Sequence, residues 1–474
     1  MCFFCSITGS AREILGSFRC AQNFGSGLRR PLTVPPERRH PGLHPGVQSI
    51  PMAGTATFSF STTSRGQRRT LIAAGLGWML DAFDVMLYAL VLTHIMRDLG
   101  MSKGTAGLLN TLTLLASGIG GVLFGFIADR IGRKRALMAT ILTYSVFSFG
   151  CGLSTSILML ACFRFALGLG MGGEWNTGAA LVAETWPDQE RAKALSIVQS
   201  SWAIGYALAA LVAGIVLQFS NWRAVFFLGV LPALVIFWIL KKVPESELWE
   251  QHRKASLAAP SPQSGVAQAR EDSFFHLFSR PYARHTIALL LVNFFGLFAW
   301  WGLFTWIPPY LSLPISQGGR GFGVMSTTAL LLFLNLAGMF PGYLTFGWVA
   351  DRFGRRNSFI LYTLTAALLV PLYAMARSEW VLLLLGAMVA FFGTGFFSGS
   401  GIIGSEIFPT RLRARALGFT YNGARTLSAA APFVIGRVGQ AKGLGWAFYL
   451  CAASFLLATV MAALLPETKG KQLD

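Results

Sequence analysis

The chain has 474 residues, of which 54% are hydrophobic and only 12% charged, against a soluble average of about 25% charged. A mean hydropathy of +0.55 argues against a water-soluble domain and for a membrane protein. The formal charge of +19 would suit a nucleic-acid partner, but the placement of the cations speaks against one. Of 39 Lys and Arg, 24 fall in connections on the side of Arg130 and seven on the other side. Six more lie in the first 51 residues, and Arg164 and Arg425 lie within apolar segments. This is the positive-inside pattern, so the Arg130 side is read as cytoplasmic and the basic balance as topology.

In chain order, residues 1–51 are rich in Pro, Arg, Gly and His and show no periodicity. No apolar stretch follows their charges, so a secretory signal is not indicated. Residues 1–69 are expected to form a disordered tail, with Met52 a natural alternative start. Cys2 and Cys5 have no second pair to complete a metal site. Cys151, Cys162 and Cys451 sit in apolar segments and are expected to be small buried hydrophobes.

Twelve apolar spans follow, near 71–96, 105–128, 136–154, 157–183, 192–219, 223–241, 284–311, 323–349, 357–376, 380–404, 414–436 and 444–465. Each is long enough to cross about 30 Å of hydrocarbon as a helix. The expected fold is all-α, with both termini cytoplasmic. Two six-helix halves (70–243 and 283–468) flank a polar cytoplasmic linker (244–282), and 469–474 forms a short C-terminal tail. Glycines within the spans, such as Gly118, Gly120 and Gly121, suit close helix packing.

The halves are a duplication. Gly125-Phe-Ile-Ala-Asp129-Arg130-Ile-Gly132-Arg133-Lys134 returns 222 residues later as Gly347-Trp-Val-Ala-Asp351-Arg352-Phe-Gly354-Arg355-Arg356. In the same register, Glu184, Pro187 and Arg191 return as Glu406, Pro409 and Arg413, and Pro244-Glu245-Ser246 as Pro466-Glu467-Thr468. Trp78 and Tyr88 return as Trp300 and Tyr310. Asp129 and Asp351 stand at helix ends beside clustered cations, where charge-assisted bonds across the seam between halves are expected to form in one state and break in another.

Two six-helix halves, each with this motif after its second helix, resemble the major facilitator superfamily from Thr70 to Lys469. The resemblance implies a transporter with pseudo-two-fold symmetry that alternates between inward- and outward-open states around a midplane site. It further implies residence in a cell (inner) membrane, no cofactor beyond the proton as coupling ion, and a monomer in contact with the lipid bilayer.

Departures from the repeat point to chemistry, because packing needs the symmetry and a substrate does not. In the first span, Asp81 and Asp84 share a helix face, while their repeat positions hold Leu303 and Trp306. An ionised carboxylate at that depth costs about 2.5–3.5 kcal/mol on insertion scales, so desolvation and mutual repulsion favour taking up a proton. In the fourth span, Arg164 and Glu174 face Gly386 and Phe396 in the repeat. Arg164 is expected to pair with a first-helix aspartate and Glu174 to join a proton path, with a purely structural ion pair the rival reading. In the eleventh span, Tyr421-Asn422-Gly423-Ala424-Arg425 places a guanidinium near mid-membrane, where the repeat has Ala203. Its planar fork suits a carboxylate, so Arg425 is expected to anchor a substrate anion, with a structural pair across the halves the alternative. Gln199, Asn110 and Asn293 are candidate polar cavity residues. Trp300, Trp301 and Trp306 are candidate stacking surfaces, the first two too deep for an interfacial aromatic belt.

Leu80-Asp81-Ala-Phe-Asp84, Gly170-Met-Gly-Gly-Glu174-Trp175 and Pro244-Glu-Ser-Glu-Leu-Trp249 together resemble the sialate/carboxylate:proton symporters, with the aromatic acid:proton symporters close behind. Both imply uptake of a small organic anion with protons. A sugar or polyol porter is the runner-up, on Pro466-Glu-Thr-Lys-Gly470 and Gln199, but the seventh span lacks paired glutamines and Arg425 would have no purpose. A drug antiporter would place a proline within 201–214, which has none. An enzyme or receptor is not expected: there is no nucleophile elbow, phosphate loop or ligand cluster. His40, His44, His94, His252, His276 and His285 are all read as lying in the tail or in connections.

Overall fold

A computed structural model describes residues 63–258 and 274–470; residues 1–62 of the expected tail, with Met52, Cys2 and Cys5, and the middle of the linker lie outside them, whereas 65–69 of that tail are helical. In a bilayer every backbone N–H and C=O must be satisfied within its own segment, and the described residues answer with helices. These are α1 (Arg65–Asp98), α2 (Lys103–Ile131), α3 (Arg133–Gly152), α4 (Ile157–Thr185), α5 (Asp188–Phe219) and α6 (Trp222–Lys242) in the first half. In the second half they are α7 (Ala283–Ser312), α8 (Val324–Phe353), α9 (Arg355–Met375), α10 (Glu379–Ile407), α11 (Thr410–Ser428 and Ala431–Lys442) and α12 (Leu444–Ala463). A short helix, Glu247–Ala258, opens the linker.

All twelve expected spans are helical, yet only ten are by themselves long and apolar enough to cross a membrane. The exceptions have local causes. Helix α3 opens on Arg133-Lys134-Arg135 and carries Thr140, Thr143, Ser145 and Ser148. Helix α11 is broken at Ala429–Ala430, one turn before Pro432, and its first piece bears Arg413, Arg415 and Arg425. Helix α1 begins at Arg65, six residues before the expected span, because the Ser64 hydroxyl accepts from the Gln67 N–H while the Gln67 side chain accepts from the Ser64 N–H. His94 and His285 fall inside α1 and α7 rather than in connections. Cys162 is exposed, unlike the buried Cys151 and Cys451.

The repeated motif has one geometry in both halves. Gly132 (φ +103°) and Gly354 (φ +98°) turn the chain between α2 and α3 and between α8 and α9, in a region that L side chains rarely adopt. Arg133 donates to Asp129 (2.7 Å) and to Glu184 (3.0 Å). Arg355 does the same to Asp351 (2.8 Å) and Glu406 (3.1 Å). Glu245 accepts the Lys134 N–H (2.9 Å) at the start of α3, and Glu467 accepts the Arg355 N–H (2.8 Å) at the start of α9. Burial alone would raise the Glu467 carboxyl, but backbone N–H groups of Arg355, Lys469, Thr468 and Asn357 hold it below the usual carboxylate range. The motif is therefore a clamp inside each half. The expected bonds from Asp129 and Asp351 across the seam are replaced here by bonds within a half, and both aspartates are largely exposed.

The halves meet through hydrogen bonds at the end opposite the motifs. Lys103 Nζ donates to the Gln317 carbonyl (2.6 Å), and the Gly104 N–H to the Gln440 side chain (3.3 Å). Closer to the middle, the Tyr206 hydroxyl donates to the Phe304 carbonyl (3.2 Å). Small residues make the approach possible. A Cβ at Gly107 would lie 2.8 Å from the Pro432 carbonyl carbon and 2.9 Å from the Phe433 Cα. This far end is closed.

Candidate functional site

Charged and polar side chains converge where α1, α3 and α4 of the first half face α7 and α11 of the second. Asp81, Asp84, Arg164 and Glu174 are all fully or almost fully buried. The two aspartates diverge although they are three residues apart. Asp84 accepts from the Ser148 hydroxyl (2.9 Å) on α3 and keeps its other oxygen without a partner. Neither oxygen of Asp81 has a hydrogen-bond partner. Glu174 accepts from the Thr140 hydroxyl (2.7 Å), and its second oxygen is aimed at Gly77 of α1, where a Cβ would lie 3.0 Å from its carboxyl carbon. Tyr144 stands among these three acids, its hydroxyl 3.5 Å from the Gly77 carbonyl.

Arg164 does not pair with Asp81 or Asp84. Its Nη2 donates to the Asn110 Oδ1 (2.8 Å), its guanidinium carbon lies 4.2 Å from the Tyr88 ring centroid, and its Nε and Nη1 have no partner. The reason is depth. Arg164 is level with Tyr88, one turn beyond Asp84 on α1, and acts on Asp84 through its field without a direct bond; Asn110 in turn donates to the Thr305 hydroxyl (3.0 Å) on α7. Asn110, expected to line a cavity, is instead buried as a bridge between the halves.

The cation that acts electrostatically on Asp81 is Arg425, from the other half. Arg425 is 5% exposed, and its guanidinium makes no hydrogen bond or ion pair among the described residues. Tyr421, one turn before it, shares its face, whereas Asn422 is exposed. Thr426, a turn from Asn422, lies against Gly118 of α2. Gln199 reaches the Tyr343 hydroxyl of α8. Asn293 accepts from the Ser400 hydroxyl within its own half. Trp306 is tied to the Pro432 carbonyl (2.9 Å) and closes the far end.

Aromatic rings surround this centre. Trp78 meets Trp175 at 4.8 Å with the rings tilted by 47°, and the repeat-related Trp300 meets Phe397 at 5.7 Å. Trp202 joins the two sets, 4.7 Å from Trp78, 5.9 Å from Trp300 and 6.2 Å from Trp301. The indole N–H groups of Trp78, Trp202 and Trp300 are buried without a partner. Unsatisfied donors of this kind are costly unless a ligand or water answers them. Trp202 was not singled out from the sequence, though the repeat marks it: position 424 is alanine.

A family model described as the Major Facilitator Superfamily matches residues 74–340 and 319–473. The chain belongs to the major facilitator superfamily. It is accordingly a membrane transporter and not an enzyme. It is 33% identical over 421 residues to a probable 4-methylmuconolactone transporter of Cupriavidus pinatubonensis, covering 87% of this chain and 93% of that one. It is 31% identical over 407 residues to the sialic acid transporter NanX of Escherichia coli, covering 84% and 94%. Among solved structures, a D-xylose-proton symporter aligns at TM-score 0.69 and 19% identity, over 86% of this chain and all of that one. That likeness concerns the fold.

Proposed function

We propose that this transporter imports a small organic anion, with a carboxylate as the anchoring group, together with protons. The observation that carries the reading is Arg425. It is a buried guanidinium with no hydrogen bond, opposed across the seam by an Asp81 whose oxygens are both unpartnered. A substrate carboxylate on Arg425 satisfies the fork bidentately. It also takes the counter-charge away from Asp81, which then neutralises itself by binding a proton. Loss of that proton restores the Asp81 field at Arg425 and expels the anion. Anion and proton thus travel together. Trp78, Trp202, Trp300 and Trp301 offer ring faces and N–H donors to the rest of the substrate, and Glu174 with Tyr144 extends the proton path from Asp81. An anion entering with two or more protons carries net positive charge, so the membrane potential assists uptake. We place the motif end in the cytoplasm of a cell (inner) membrane, as the charge bias favours, and read the carrier as a monomer. The relatives whose names mention sialic acid and a muconolactone support an organic-acid substrate class.

The test is uptake of labelled carboxylates and sugars into proteoliposomes, with and without an inward proton gradient, for the native protein and Arg425→Ala. Gradient-stimulated uptake of an acid that the substitution abolishes is the expected result. Sugar uptake indifferent to both gradient and substitution would overturn the reading.

A further inference from the structure

A second site lies at the motif end, away from the central seam. A cavity of about 530 Å³ opens between the α2–α3 turn, the end of α6 and the linker helix. It is lined by Lys134, Arg135, Arg253 and Lys254, with Glu245 and Glu250 the acids among its walls. Glu245 is already engaged by the Lys134 and Ser246 N–H groups. Cations therefore prevail in the space that remains. The other walls are apolar: Ile131, Met138, Leu240 and Trp249.

The apolar walls continue along the outside of the protein. On α3, Met138 leads to the exposed Leu142, Val146 and Phe149, spaced three or four residues apart on one face. On α6, Leu240 leads to the exposed Phe237, Leu234 and Leu231 at intervals of three. The two helices are neighbours, and Lys134 Nζ donates to the Leu240 carbonyl (2.8 Å) where they converge. A stripe of this kind at bilayer depth faces acyl chains, and both stripes end in the cationic cavity. We propose that this cavity binds the headgroup phosphate of an anionic phospholipid, whose chains lie in the α3–α6 groove. Free phosphate would use the cations but not the groove. A zwitterionic lipid would use the groove but gain little from four cations.

Occupancy ties the linker helix to the α2–α3 turn. Trp249 already donates to the Asp129 carbonyl (2.8 Å), and Arg253 lies over the Trp249 ring at 5.2 Å. A phosphate held by Arg135, Arg253 and Lys254 would close the same joint from the lipid side, next to the Arg133 clamp.

The test is native mass spectrometry of the delipidated full chain, titrated with phosphatidylglycerol and, in parallel, phosphatidylcholine of the same acyl chains. Retention of a phosphatidylglycerol adduct at concentrations where phosphatidylcholine leaves none is expected, unaffected by millimolar inorganic phosphate. Each of Arg135→Gln, Arg253→Gln and Lys254→Gln should weaken the adduct about fivefold, the conversion of about 1 kcal/mol per cation near an anionic surface. Lys241→Gln and Lys242→Gln, cations next to the cavity but outside its lining, should leave it unchanged. Equal retention of both lipids overturns the proposal, as does displacement by inorganic phosphate. Loss spread evenly over all five variants would reduce the effect to general surface charge and overturn it as well. The comparison of the two lipids on the native protein keeps the test decisive if a variant does not fold.

Discussion

Gly107→Ala should open the far end of the transporter without touching the central site. Gly107 lies on α2 against the second piece of α11, where an added methyl would stand 2.8 Å from the Pro432 carbonyl carbon and 2.9 Å from the Phe433 Cα. Both are backbone atoms, so no side chain can swing aside to relieve the contact. Overpacking of this kind costs about 1–3 kcal/mol. Because α2 and α11 belong to different halves, the cost falls on the closed state alone and vanishes when they part. The equilibrium between far-end-closed and far-end-open forms should therefore shift about 5- to 150-fold towards the open form. Spin labels at Ser102 and Gln317, on opposite halves beside the Lys103–Gln317 bond, read that population as a longer distance. Gly75→Ala, where an added methyl meets nothing within 4 Å, is the control and should leave the distribution unchanged. An unaltered distance distribution in Gly107→Ala would refute the argument that this contact holds the far end shut.

Asp81→Asn should uncouple transport, because the amide cannot give and take the proton: substrate counterflow is retained, while accumulation driven by a proton gradient is lost. Asn110→Ala removes the acceptor of Arg164 and the donor to Thr305 together; leaving that buried cation unanswered should cost about 1–3 kcal/mol, read as a lower melting temperature in detergent, with Asn110→Gln partly restoring it. The Glu467 carboxyl is held below its usual range by backbone donors, so its contribution to stability is complete above the ordinary carboxylate value and disappears as the pH falls through its lowered one. Thermal unfolding of the native protein should accordingly show an acid-side decline that is weaker in Glu467→Gln, and an identical pH profile in the two would contradict the role of the clamp.

The architecture was legible because a duplicated chain states it twice: each span has a partner 222 residues away, and the motif glycines, glutamates and arginines recur in register. The same repeat explains why the clamp geometry of Arg133 with Asp129 and Glu184 reappears at Arg355. What could not be read was which half each motif aspartate would bond to, since spacing along one strand of sequence is silent about the seam. The partner of Arg164 escaped for a similar reason. An aspartate on α1 satisfies a charge argument, but the side chain that reaches it is set by depth and helix rotation, and Asn110 occupies that position. Trp202 was hidden by abundance among 13 tryptophans; asking where the repeat breaks, rather than where polar groups lie, would have singled it out. The division of α11 follows from a signal in plain view, since Pro432 cannot donate to the helix ladder.

Asp81 and Arg425 have one further consequence. Neither has a counterpart in the repeat, and they stand on opposite halves. A fully symmetric pair of halves would present the same face to both ends of whatever lies between them, and a molecule could sit there in either of two inverted poses. Here one half offers a cation and the other an acid. If Arg425 and Asp81 hold the substrate as proposed above, the occupant has a head and a tail in the site, and an end-to-end inverted isomer of a substrate is a different ligand.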